Sequence, residues 1–320
     1  MPIIQSSYQA PVFLGGAHSA TLIGTLMRTV HFKASQSEDL QLRDSRWVEL
    51  EWNECKEASI CVLLLHGMES SAHSGSVKQI AKYLRRHGIS VCRVSLPGCT
   101  VKDFPSQGSY HGGDHKLVEE ILSHATQKHP HNRFWILGLS LGGNMALCHA
   151  SHPSRLADRI AGYLAFSAPL DLQEGVERIE NSALGFYHRY FLRSIKAKIR
   201  SKRIVRSVQD SYPLGPVRTL REFDGRYTCS LAGARDAESY YSLASSRYYI
   251  ESVQKPTLIL NALNDPFLGE HSFPFALCTK HPYIYLETPK LGGHLGFVSL
   301  YSKSYMATRA LDFITQHSKE

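Results

Sequence analysis

Short apolar runs alternate with amphipathic stretches along most of this chain, and that alternation restricts its fold more than any other feature. The runs span residues 60–65, 90–94, 134–137, 160–166, 257–260 and 283–286. Short, continuous runs of this kind are typical of strands buried on both faces of a sheet. The intervening stretches carry apolar residues at helical spacing. The sequence therefore predicts an α/β fold, with a mostly parallel central sheet flanked by helices.

Two departures from this alternation carry further expectations. Val48, Leu50 and Trp52 alternate with Glu49 and Glu51, which predicts a half-exposed, antiparallel strand at the start of the sheet. From about residue 169 to 250 no buried strand is evident. We expect this segment to be a helical cap or lid inserted within one domain spanning residues 1–320, over the carboxyl edge of the sheet, where such folds bind ligands.

The segment Gly138-Leu139-Ser140-Leu141-Gly142 directly follows one apolar run and precedes a helix-forming stretch. G-x-S-x-G between a strand and a helix is typical of a nucleophile elbow. The glycines avoid a collision across the sharp turn, and the helix that follows favours negative charge at its start. We predict that Ser140 is a nucleophile; the alternative is a glycine-rich turn with an idle serine.

A serine nucleophile needs a base, and that base needs an orienting acid. Asp265 follows the run 257–260, and His294 follows the run 283–286 between flanking glycines. Both therefore lie at carboxyl strand ends in the order Ser, acid, His. An aspartate before proline is also a common turn former, and this is only one of 17 histidines, so both roles rest on position.

The oxyanion hole should use the N–H of Leu141, which follows the nucleophile, and a second donor from the loop after an early strand. Met68 is the expected second donor, in His66-Gly67-Met68. We expect His66 to brace that loop rather than act as a base.

These motifs together resemble the YheT-like branch of the α/β-hydrolases, a family of carboxylester hydrolases. The matching segments lie along nearly the whole chain: His18-x-x-Thr21, residues 65–71, Pro97-Gly98-Cys99, residues 138–145, Arg221-Glu222-Phe223-Asp224, Tyr240-Tyr241, Asn264-Asp265-Pro266-Phe267 and residues 292–297. The resemblance implies an α/β-hydrolase fold and hydrolysis of acyl esters.

The predicted activity is cleavage of a small-molecule carboxylic ester through Ser140, His294 and Asp265, by way of an acyl-enzyme and without a cofactor. An acyltransferase or thioesterase with the same triad remains open, as does a non-catalytic binding protein on this fold. A metal site at His111, Asp114 and His115, or at His124, His129 and His131, is not expected, because these residues flank glycines and a proline rather than one fixed helical face.

The net charge of +8 comes from one segment, because eight Lys or Arg residues and no acid lie between Arg189 and Arg206. This argues against a nucleic-acid-binding body. An apolar stripe of Leu192, Ile195 and Ile199 favours a cap helix packed on the core. Weak contact of this basic segment with a membrane surface stays open. Seven scattered cysteines without a C-x-x-C pair, and no secretion signal or membrane span, predict a reduced, cytoplasmic protein.

Overall fold

The computed structural model describes residues 3–11, 15–26, 29–102, 104, 108–200, 215–299 and 304–318 of the 320-residue chain. These residues form one nine-stranded sheet in the order β1-β9-β8-β7-β6-β4-β5-β3-β2. The strands are β1 (Ile3–Ile4), β2 (Gln36–Gln41), β3 (Trp47–Asn53), β4 (Ile60–Leu65), β5 (Ser90–Ser95), β6 (Arg133–Leu139), β7 (Ile160–Phe166), β8 (Thr257–Leu260) and β9 (Ile284–Glu287).

The predicted sheet is confirmed, and its parallel part coincides with the apolar runs. Strand β3 pairs antiparallel with both β2 and β5, whereas all other neighbouring strands pair in parallel. Strands β1 and β2 were not predicted. The first is only two residues long, which is too short to form a recognisable apolar run, and the second has the polar sequence QSEDLQ.

Helices cover both faces of the sheet, which explains why inner strands such as β4 and β7 are apolar at nearly every position. Val62 and Leu64 of β4 face one core with helices α2 and α11, whereas Leu63 and Leu65 face the other core with α3. The helices are α1 (Ala17–Leu26), α2 (Gly75–Arg86), α3 (His115–Lys128), α4 (Leu141–Ala150), α5 (Leu172–Asn181), α6 (Phe186–Arg200), α7 (Leu220–Phe223), α8 (Cys229–Leu231), α9 (Ala237–Ala244), α10 (Phe275–Cys278) and α11 (Tyr305–His317).

The prediction that β3 is half-exposed is wrong. Glu49 and Glu51 are both buried. The guanidinium of Arg93, fully buried on β5, donates from Nη2 to Glu51 Oε2 at 3.2 Å. Glu49 accepts from Ser95 Oγ at 3.2 Å and lies 3.1 Å from His73 Nε2. Alternating polarity suggested exposure, but these charges are buried because polar partners neutralise them.

The segment predicted to form a cap, residues 169–250, contains helices and turns but no strand in its described part, and it is called the cap below. Met68, which follows β4, packs against the cap residues of α6 and α7, and Leu141, which follows β6, packs against those of α5 and α9. The cap therefore contacts the carboxyl ends of two central strands, which is the edge that the sequence analysis selected for ligand binding.

The basic segment of the cap divides into exposed and buried residues. Its apolar stripe of Leu192, Ile195 and Ile199 is buried, as expected for a helix packed on the core. Arg189 and Arg193 are exposed, whereas the side chain of Lys198 is only 14% exposed. Arg203 and Arg206 lie outside the described residues.

All seven cysteines lie in the described part of the chain and are free thiols. Within the ranges described above, no helix combines the length and the apolar character needed to cross a bilayer.

Candidate active site

Ser140 occupies a strained turn between β6 and α4. Its backbone lies at φ 54° and ψ −122°, a region that side chains other than glycine rarely adopt. A Cβ on Gly138 would lie 2.0 Å from the carbonyl oxygen of Gly142, and a Cβ on Gly142 would lie 2.4 Å from the carbonyl oxygen of His66. Only glycine fits at these two positions, so the local sequence fixes the turn that presents the serine hydroxyl.

The three residues predicted to form a triad lie within hydrogen-bond distance of one another. His294 Nε2 lies 2.9 Å from Ser140 Oγ, and His294 Nδ1 lies 2.9 Å from Asp265 Oδ2 and 3.1 Å from Oδ1. The Asp265 side chain is fully buried, and it also accepts a hydrogen bond from the N–H of Phe267 at 2.9 Å. A carboxylate facing Nδ1 holds the imidazole proton there, which leaves Nε2 able to accept a proton from the serine.

Two backbone amides beside Ser140 are available to bind an anion. Among the hydrogen bonds of the described residues, none has the N–H of Met68 or Leu141 as its donor. Leu141 begins α4, where the free N–H groups and the helix dipole favour negative charge. Gly67 brings the other loop close, because a Cβ there would lie 3.0 Å from Ser140 Cβ. The predicted donors thus flank the serine from two different loops.

His66 braces the loop after β4, as expected. Its Nε2 accepts a hydrogen bond from the N–H of Leu96 at 3.0 Å, so its Nδ1 carries the proton and donates to the carbonyl of Gly67 at 2.7 Å. Burial lowers the pKa of His66 to about 4, which keeps the ring neutral.

The loop that carries His294 is held by residues that the sequence analysis did not assign. The N–H of His294 donates to Thr21 Oγ1 at 2.9 Å, and the N–H of Leu295 donates to Ser167 Oγ at 2.9 Å. Asn264 Oδ1 accepts from the N–H of Gly293 at 3.0 Å. Thr21 and Asn264 occur in the motifs that carry the family resemblance, but their sequence positions alone give no sign of these contacts.

Another unassigned residue, Asn144, ties the elbow helix to the cap. Its Nδ2 donates to the carbonyls of Gly112 at 2.8 Å and Ala244 at 2.7 Å, and its Oδ1 accepts from the N–H of Ser246 at 3.0 Å. Its amide is therefore fully used in fixing the end of the cap against α4.

A cavity of about 100 Å³ lies between the two candidate oxyanion donors and the cap. Most of its lining is apolar, including Leu141, Leu172, Val176, Ile195, Leu220 and Phe223. Asp224 also lines it and accepts hydrogen bonds from Thr228 Oγ1 at 2.6 Å and from the Tyr241 hydroxyl at 3.0 Å. Burial raises the pKa of Asp224 to about 6. The cavity is therefore a mainly apolar space beside Met68 and Leu141.

Three of the five histidines considered as metal ligands make other contacts, as does Asp114. Asp114 caps α3 and pairs with Arg46, and the His115 ring stacks on His152. His124 pairs with Glu38, and His129 pairs with Glu54.

Two other groups of possible metal ligands occur among the described residues, and in each group one carboxylate forms a salt bridge with an arginine. These are Glu49, Glu51 and His73, with Arg93, and Asp171, Glu174 and His271, with Arg247.

Comparison with known proteins agrees with this fold class. The family model of the alpha/beta hydrolase fold matches residues 60–297. The chain is 25% identical over 311 residues to "Putative esterase YheT" of Escherichia coli (strain K12), covering 94% of this chain and 90% of that protein. It is 24% identical over 315 residues to "Medium-chain fatty acid ethyl ester synthase/esterase 2" of Saccharomyces cerevisiae, covering 87% and 67%. The solved structure of the Pyrococcus furiosus esterase Pf2001 shares the fold, with a TM-score of 0.59 at 14% identity, covering 88% of this chain and 92% of that one.

Proposed function

The chain belongs to the α/β hydrolase fold family and is an esterase-type member of it, and from this premise we propose that it hydrolyses carboxylic esters through Ser140, His294 and Asp265. The observation that carries the proposal is the continuous contact from Ser140 Oγ to His294 Nε2, and from His294 Nδ1 to Asp265, at 2.9 Å in each step. These distances match what proton transfer requires. The strained backbone of Ser140 supports the same role.

In the proposed reaction, Ser140 Oγ attacks the ester carbonyl while His294 Nε2 takes the hydroxyl proton. The carbonyl oxygen becomes an oxyanion, which the N–H groups of Met68 and Leu141 stabilise. One such donor contributes about 3 kcal/mol to lowering the barrier. As the tetrahedral intermediate collapses, His294 gives its proton to the leaving alcohol and an acyl-serine remains. Water then attacks this ester with His294 again as base, which releases the acid and restores Ser140.

The substrate class follows from the cavity and the relatives. An apolar cavity beside the two amides supports an acyl group as the part of the substrate that enters the cap. The relatives named esterase fit a small-molecule acyl ester as substrate. The proposed steps draw every proton transfer from side chains, so the mechanism requires no cofactor.

The test is a comparison of wild type with Ser140→Ala on a p-nitrophenyl acyl ester and with a fluorophosphonate probe. We expect Ser140→Ala to lose turnover and labelling while keeping its circular dichroism spectrum. A variant that turned over ester at the wild-type rate would refute the nucleophile. A wild type that neither labels nor turns over ester would instead support a non-catalytic binding protein.

The same triad supports an acyltransferase or a thioesterase, and the yeast relative is itself named both synthase and esterase. The difference lies in which molecule attacks the acyl-serine. Product analysis with and without added ethanol or a thiol distinguishes them. We expect free acid to dominate at low alcohol concentration; ester as the main product there would favour the transferase.

We also propose weak contact between the cap and an anionic membrane surface. Leu184, Phe186 and Tyr190 are exposed apolar side chains at and just before the start of α6, and Arg189 and Arg193 are exposed beside them. Apolar side chains flanked by cations are what a surface-bound helix presents to anionic lipid. Arg189→Gln/Arg193→Gln should bind phosphatidylglycerol vesicles more weakly than wild type at low salt in a sedimentation assay. Absence of wild-type binding at low salt would refute the contact.

A further inference from the structure

The residue after the candidate oxyanion donor Met68 has an unusual backbone. Glu69 lies at φ 55°, in the left-handed region that costs a residue with a side chain about 1 kcal/mol. Such a conformation persists only where surrounding contacts hold it. The contacts of the Glu69 side chain therefore bear directly on the path of the backbone at Met68.

Those contacts come from the cap helix α6. The Glu69 side chain is only 7% exposed, and its carboxylate pairs with Lys198 Nζ and accepts from Ser194 Oγ at 2.6 Å. Lys198 also donates to Cys99 Sγ at 3.4 Å. Burial lowers the pKa of Lys198, but Cys99 and Glu69 raise it by more, so its pKa lies above the usual value. The ammonium ion therefore stays charged, and the pair is a buried salt bridge between the oxyanion loop and the cap.

The same helix is anchored by apolar packing around this bridge. Leu192, Ile195 and Ile199 are buried in one cluster, and the Met68 side chain packs against that cluster. Glu69, Lys198 and Met68 all line the cavity between the cap and Leu141. The same contacts therefore hold both the cap helix α6 and the loop that carries Met68 in position.

We propose that Glu69 and Lys198 are positioning residues, which hold the Met68 N–H toward the oxyanion. Through them, the position of that N–H depends on the contact between the cap helix α6 and the loop after β4. The inference rests on the proposed function, because it assigns a role within that same site. Removal of Lys198 would leave the Glu69 carboxylate buried without a counter-ion. The loop would relieve this by turning the Glu69 side chain toward water. That movement would carry Met68 with it, whereas Ser140, His294 and Asp265 belong to other loops.

The first measurement is ester turnover by Lys198→Met. Complete loss of an oxyanion donor costs about 10²–10³ in kcat, so displacement of one should cost about 10–100-fold, with KM changed less than about threefold. Arg200→Met is the matched control, because it removes an exposed cation from the same helix. Glu69→Gln/Lys198→Met removes both charges together. It leaves no uncompensated charge, so it should fold as stably as wild type. It still lacks the ion pair that holds the strained backbone of Glu69, so it should also lose kcat, and it provides the test if Lys198→Met does not fold.

The second measurement separates oxyanion binding from general loss of structure. A thionoester carries C=S in place of C=O, and sulfur is a weak hydrogen-bond acceptor, so the oxyanion amides help it much less. The wild-type preference for ester over thionoester in kcat/KM should therefore shrink about 10-fold in Lys198→Met and in the double variant. An unchanged preference, or an unchanged kcat in both variants, would overturn the positioning role. If wild type itself hydrolysed neither substrate, the proposed function would fail together with this inference.

Discussion

Thr21 and His294 are joined by a hydrogen bond of 2.9 Å although 273 positions separate them in sequence. The Thr21 hydroxyl donates to the carbonyl of Ala17 at 2.7 Å, so its oxygen is oriented to accept the His294 N–H. Helix α1 also lies against the histidine loop at close range, since a Cβ on Gly293 would lie 2.7 Å from the Ala17 carbonyl oxygen. The amino-terminal helix therefore sets the position of the proposed base.

Thr21→Val should weaken the placement of His294. The change keeps the shape of the side chain but leaves the buried His294 N–H without its acceptor, which costs about 1–3 kcal/mol. We expect kcat for ester hydrolysis to fall about 10-fold, as measured in steady state. Thr21→Ser, which keeps the hydroxyl, should retain most of the activity. Equal rates for the valine and serine variants would contradict this role.

Gly142→Ala should disrupt the elbow. Its new methyl group would lie 2.4 Å from the His66 carbonyl oxygen and 2.9 Å from that of Leu65, and neither backbone atom can move freely. We expect a loss of about 3 kcal/mol in the free energy of unfolding, measured by urea denaturation, and little remaining turnover. At Gly215 an added methyl group meets no atom of the described residues within 4 Å, so Gly215→Ala should stay within about 0.5 kcal/mol of wild type.

Asp224 should make the protein less stable as pH rises. Burial raises its pKa from 3.8 to about 6, so the folded state binds the proton more tightly than the unfolded chain. Its stabilising contribution is therefore complete below about pH 4 and is lost as pH rises through about 6. In chemical denaturation, the free energy of unfolding of Asp224→Asn should rise by about 2–3 kcal/mol relative to that of wild type between pH 4 and pH 8.

A control for this effect is available on the same part of the chain. The hydrogen bonds to Ser239 hold the pKa of Asp236 below its usual value. Deprotonation of Asp236 therefore favours the folded state. Relative to wild type, Asp236→Asn should lose stability as pH rises, whereas Asp224→Asn should gain it. If Asp224→Asn showed no dependence on pH relative to wild type, Asp224 would not be held in its protonated form by burial.

Ester turnover should fall as the solution becomes acidic. His294 accepts the Ser140 proton through Nε2 only while that nitrogen is unprotonated, so protonation of the ring removes the base. The logarithm of kcat/KM should decrease with a slope of about one per pH unit on the acid side. Circular dichroism over the same range separates this loss from unfolding. A flat profile, in a protein that stays folded, would exclude His294 as the base.

The sequence alone predicts those parts of the fold that depend on residues close together in the chain. Strands such as β4 and β7 are apolar at nearly every position because both faces of the sheet are covered, and the glycines at 138 and 142 mark a turn that no larger residue fits. The order and spacing of Ser140, Asp265 and His294 then followed from where the strands end. The structure brings these three residues together, and their catalytic roles stay predictions.

The parts that the sequence could not provide depend on partners far along the chain. Nothing local distinguishes the buried Lys198 from the other cations of its helix, since only contact with Glu69 and Cys99 makes it different. The buried carboxylates of β3 depend in the same way on distant partners. Arg93 donates to Glu51, whereas Ser95 and His73 lie against Glu49. The polar strand β2 is held by backbone pairing to β3, which leaves no apolar pattern to detect.

The segment that identifies the family begins at residue 60, yet the hydroxyl that seats the imidazole belongs to Thr21. The segment before residue 60 is called the arm here. Trimming the protein to residues 60–297 would remove the arm and with it the hydrogen bond that positions the His294 loop. A chimera built from two relatives would work best if the arm and the histidine loop travelled together from one parent. Natural variation in that arm could then tune turnover without touching any residue of the triad.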